Sequence, residues 1–141
     1  MLSCLGTNIS QVIRLSKILI AIRSETIAEC LSSSLNSCYK TFISQTGPEA
    51  LRALENFHPD ILIIDLMLPQ KDGITVLSSS SYKPPVILAI TTYINQEILS
   101  AAGEAGIGGL VLLPSSIDAI LSLLESLIND KQYKAPLSKD N

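Results

Sequence analysis

The stretch Pro59-Asp60-Ile61-Leu62-Ile63-Ile64-Asp65-Leu66-Met67-Leu68-Pro69-Gln70-Lys71-Asp72-Gly73 decides how this chain folds. Four branched apolar residues run without a polar break and end in one acid, Asp65. A strand buried on both faces reads this way, and such strands belong to parallel sheets covered by helices on both sides. In an open α/β sheet, the carboxyl ends of the strands border the crevice where ligands bind. Asp65 is therefore expected at the mouth of that crevice. Asp72-Gly73 reads as a turn that starts a helix.

Working outward, the same alternation repeats. Lys17–Ile22 reads as a first buried strand. Ser24 then caps a helix carrying Ile27, Leu31 and Leu35 at helical spacing. Tyr39–Ser44 is a second strand. Gly47-Pro48 opens a second helix, with Ala50, Leu51, Leu54 and Phe57 on its inner face. Asp60–Ile64 is the third strand and Ile74–Ser80 a short third helix. Pro85–Ile90 is the fourth strand, Ile94–Glu104 the fourth helix, closed at Gly106, and Gly109–Leu113 the fifth strand. Ile117–Ile128 is an amphipathic fifth helix. Five βα repeats without a long gap imply a parallel sheet with helices on both faces. The boundaries follow: 1–16 an N-terminal tail or extra helix, 17–130 the α/β domain, 131–141 a polar C-terminal linker or tail containing Pro136.

Composition narrows the function. The chain has 141 residues, which fits one domain, and 47% of them are hydrophobic against 16% charged. Aromatic residues make up only 4%, so the core is aliphatic. A net charge of −3 argues against nucleic-acid binding by this domain alone, since that needs a basic face. No apolar run has the length of a membrane span, no secretory signal is present, and a cytoplasmic protein is expected. Three cysteines, Cys4, Cys30 and Cys38, are an odd set without close spacing, which fits reduced thiols and excludes a Cys-rich zinc site. His58 is the only histidine, so no Ser-His-Asp or Cys-His arrangement can be assembled and hydrolytic chemistry finds no support. Gly103-Glu-Ala-Gly-Ile-Gly-Gly109 closes a helix ahead of a strand, the wrong context for a phosphate loop.

The residues resemble the receiver domain of two-component response regulators from about Lys17 to Ile128. The resemblance rests on Pro59-Asp60, Asp65, Leu68-Pro69, Asp72-Gly73, Thr91, Ala105-Gly106 and Pro114. It implies a flavodoxin-like, doubly wound three-layer (βα)5 fold with sheet order 2-1-3-4-5. It also implies that an aspartate accepts a phosphoryl group from a histidine kinase with the help of Mg²⁺. By that correspondence Asp65 is the phosphoacceptor and a metal ligand. Met67 offers its main-chain carbonyl to the metal, and Thr91 is the hydroxyl that follows the phosphoryl group. At Thr91 a simple cap for the fourth helix competes with that role.

The chain departs from the family at five positions. Ile22 and Arg23 stand where two adjacent acids hold Mg²⁺, Leu113 where a Lys pairs with phosphoryl oxygens, and Leu110 where an aromatic switch residue sits. Thr92 is bulkier than the small residue expected after the hydroxyl. Of the matched charged positions only Asp65 and Arg23 remain, and they cancel. A hard cation wants oxygen ligands, and Glu25, the nearest other acid, lies two residues late. We expect the Arg23 guanidinium to reach Asp65 in place of a metal. At about 4 Å and an effective dielectric of about 20, such a pair attracts by roughly 4 kcal/mol before desolvation.

Three functions stay open at this point. The first is an atypical receiver that signals by protein contact or dimerisation, with no cofactor. The second is a receiver phosphorylated on Asp65 with Mg²⁺, whose only chemistry is its own phosphorylation. The third is a small-ligand module on the same scaffold. Receivers commonly pair through the fourth helix, fifth strand and fifth helix, and Ala119 and Leu123 widen the apolar stripe of that helix. Either a homodimer face or a fifth helix merely tucked against the fourth is expected there.

Overall fold

The computed structural model describes residues 16–140, with side chains described through residue 130. The expected N-terminal tail and Cys4 lie outside that range. Among the described residues the elements are β1 (Lys17–Ala21), α1 (Glu25–Leu35), β2 (Lys40–Ser44), α2 (Gly47–Phe57), β3 (Ile61–Asp65), α3 (Gly73–Ser79), β4 (Val86–Thr91), α4 (Gln96–Glu104), β5 (Gly109–Leu112) and α5 (Ile117–Asp140). All four strand pairings are parallel, in the order β2-β1-β3-β4-β5. The fold is the flavodoxin-like one that the sequence implies. Its topological switch point lies between β1 and β3.

Strand side chains alternate between two cores, as the pleat requires. Ile18, Ile20, Ile61, Ile63, Leu88 and Ile90 pack with Leu31 and Leu35 of α1 and with Ile120, Leu124 and Ile128 of α5. Leu19, Ala21, Leu62, Ile64, Ile87 and Ala89 pack with Ala50 and Leu54 of α2 and with Val76 and Leu77 of α3. Every residue of β3 is buried, which explains its unbroken aliphatic sequence.

The helix starts follow local chemistry. Ser24, Thr46, Asp72 and Asn95 each accept a main-chain N–H from three residues on and so cap α1, α2, α3 and α4. Asn95 is the cap of α4, which corrects the expectation that Thr91 could serve there. Phe57 was expected on the inner face of α2 but is 42% exposed. It is the last residue of α2, the chain turns left-handed at His58, and the ring stacks on Phe42 at 4.4 Å between centroids. His58 lies on the surface and stacks on Tyr82. Leu123 turns inward against Gly109 of β5, so it does not widen an outward stripe, whereas Ala119 is exposed. The fifth helix runs on through the residues expected to form a linker.

Cys30 is exposed and free, and Cys38 is buried. At the amino end of the sheet, the Tyr39 hydroxyl is buried without a hydrogen-bond partner. Its pKa is pushed up to about 12 by burial, with a further contribution from Glu125. Among the described residues, no helix is long and apolar enough to cross a membrane.

Candidate functional site

The site is built where β1 and β3 end side by side. Ala21 pairs with Ile64, so the residues that follow β1 lie against the end of β3. Asp65 is the last residue of β3 and is only 7% exposed. A buried carboxylate must find donors. One oxygen, Oδ1, accepts the main-chain N–H of Met67 at 2.8 Å, closing an Asx-turn that starts the β3–α3 loop. The other, Oδ2, accepts the main-chain N–H of Arg23 at 3.2 Å.

That geometry corrects the expected ion pair. Arg23 is an exposed residue, and its main-chain amide makes the contact while its guanidinium makes none with Asp65. The physical reason is local. The chain leaving β1 brings its N–H to the carboxylate directly, so no long side chain has to be ordered and desolvated to reach it.

A cleft of about 320 Å³ opens over Asp65, lined by Arg23, Ser24, Asp65, Met67, Thr92 and Leu113. Ile22 is fully buried and belongs to the α1–α5 core, so its side chain contributes nothing to this cleft. Glu25 is exposed in the first turn of α1 and is not among the lining residues. Leu113 is half-buried at the cleft edge, and Leu110 packs against the α2–α3 core. Met67 stands 46% exposed on the rim. Among the described residues, no group of three or more His, Cys, Asp or Glu side chains could hold a metal ion.

Thr91 ends β4 and is fully buried. Its hydroxyl donates to the Tyr93 carbonyl at 3.1 Å and accepts the Tyr93 N–H at 3.3 Å. The side chain therefore closes the turn after β4 on itself, and Tyr93 is left 57% exposed. The structure brings Asp65, Arg23, Met67, Thr92 and Leu113 together and holds Thr91 in the adjoining turn. Ser24 in the lining was not anticipated, although its place directly after the expected metal positions could have signalled it.

A doubly wound sheet with one acid at the mouth of its switch-point crevice defines a class of α/β domain. The chain belongs to the response regulator receiver domain family, whose pattern it matches over residues 18–125. It is 31% identical over 97 residues to a protein-glutamate methylesterase/protein-glutamine glutaminase of Rhodospirillum rubrum, covering 66% of this chain and 26% of that protein. It is 26% identical over 124 residues to the regulatory protein AtoC of Escherichia coli, covering 85% of this chain and 27% of that one. The chain thus spans about a quarter of the length of these two relatives. A CheY-like receiver domain from Methanospirillum hungatei superposes with a TM-score of 0.76 at 21% identity, over 85% of this chain and 98% of its own, which shows the shared fold.

Proposed function

We propose that this receiver domain signals by contact with other proteins and is not set by Mg²⁺-dependent phosphorylation of Asp65. The observation that carries this is the engagement of both Asp65 oxygens by main-chain amides, with no second acid in the cleft. Magnesium takes near-octahedral oxygen ligands and is held through carboxylates. A single carboxylate, with an aliphatic residue and an arginine beside it in the cleft, does not supply the oxygen ligands that ion takes. Leu113 likewise offers no positive charge to a phosphoryl oxygen, and phosphoryl transfer depends on such charge.

Asp65 has a structural task that accounts for its presence without phosphorylation: it closes the Asx-turn after β3 and ties that turn to the end of β1. The domain's on and off states are then biased by a partner, and the histidine kinases that receivers meet belong to that class of partner. The face of α4, β5 and α5 supports pairing of two copies, since Leu99 is 46% and Leu112 51% exposed there.

Incubation with Mg²⁺ and acetyl phosphate, read by intact mass, tests the proposal. No added phosphate is expected. A stable phosphate that disappears in Asp65→Ala would establish the phosphoacceptor instead. A thermal shift with a small metabolite, at unchanged oligomeric state, would favour a ligand-binding module.

A further inference from the structure

The loop between β3 and α3 is held from outside by the first residue of α2. The N–H of Gly47, which the helix itself cannot satisfy, donates to the carbonyl of Pro69 at 3.0 Å. A Cβ at Gly47 would stand 2.0 Å from the Lys71 carbonyl oxygen and 2.4 Å from the Lys71 Cβ. Only a residue without a side chain allows the loop to sit this close. Between those two contacts, Gln70 is held at φ 72, a left-handed conformation that a non-glycine residue keeps only under external constraint. The same loop begins with Met67, whose N–H fixes Asp65.

We infer that Gly47 is the positioning residue of the Asp65 cleft, and that the start of α2 and the loop after β3 move as one body. Opening the Met67–Asp65 turn then requires release of the Gly47–Pro69 bond, so a change at Asp65 is transmitted to α2. The β4–α4 turn, closed on itself by Thr91, stays outside that body. The inference rests on the proposed structural task of Asp65 in closing this turn, and it does not depend on whether magnesium binds there.

Hydrogen exchange of single amides by NMR in the intact chain tests it. In the unmodified protein, the amides of Gly47 and Met67 should open with one shared denaturant dependence. Independent opening of Met67, well ahead of Gly47, overturns the inference. In Gly47→Ala, exchange at Met67 should rise by about tenfold more than at Ile63 in the sheet. Ala53→Gly, a change on the same helix away from the loop, should raise both alike. Equal acceleration of Met67 and Ile63 in Gly47→Ala would reduce Gly47 to a residue of general stability and also overturn the inference. If Gly47→Ala does not fold, the exchange pattern of the unmodified chain decides alone. Loss of the Gly47–Met67 coupling alongside absent phosphorylation would sink this inference and leave the proposed function standing.

Discussion

The turn after β3 and the turn after β4 leave neighbouring strands at the same end of the sheet, yet they are built differently. The first is fastened on three sides: to β1 through Arg23 and Asp65, to α2 through Gly47 and Pro69, and to itself through Gly73 and Leu66. The second closes on itself through Thr91 and Tyr93 and leaves Tyr93 in solvent. In a receiver that works through a phosphoryl group, the hydroxyl after β4 is expected to answer the acid after β3. Here each group is already committed to its own turn. The difference teaches that this cleft is organised as a fixed scaffold on one side and a separate, exposed loop on the other.

A direct way to break the first turn is to crowd it from its own helix. A Cβ at Gly73 would lie 2.7 Å from the Asp65 carbonyl oxygen and 3.0 Å from the Leu66 Cα, both main-chain atoms that cannot step aside. Gly73→Ala should cost about 1–3 kcal/mol of unfolding free energy by urea titration, as overpacking does. Asp65→Ala should follow at about 1–2 kcal/mol, because two main-chain donors lose a charged acceptor, and the Met67 amide should lose protection.

On the other side, Thr91→Val should cost about 1 kcal/mol, the ordinary net worth of the hydrogen bonds its hydroxyl makes within one turn. Its effect should be confined to faster exchange at Tyr93. The smallest change is expected for Arg23→Ala, within about 0.5 kcal/mol of the parent, because only the main chain of that residue holds Asp65. A loss of several kcal/mol there would restore the ion pair that the geometry rejects.

Much of this was legible from residues alone. The aliphatic run into Asp65, the caps Ser24 and Asp72, and the Gly47-Pro48 helix start all state their roles by residue type. Asn95 three residues ahead of Ile98 was a readable cap too. The hold on Asp65 was not legible in the same way. It comes from main-chain N–H groups at Arg23 and Met67, which every non-proline residue carries, so the sequence cannot mark them. Nor could the sequence show that Gly47 abuts Lys71, a contact set by how two loops meet. Phe57 shows the limit of helical periodicity, which fails at the last residue of a helix where the chain is already turning away.

The central claim is that the crevice beside Asp65 lacks what a divalent cation needs. The direct test is a magnesium titration of the whole chain, followed at the Arg23 and Met67 amides by NMR at millimolar concentrations. Neither amide should show a saturable shift, and Asp65→Asn should respond no differently. A saturable shift at both amides that disappears in Asp65→Asn would contradict the account and place this protein among receivers switched by magnesium and phosphate.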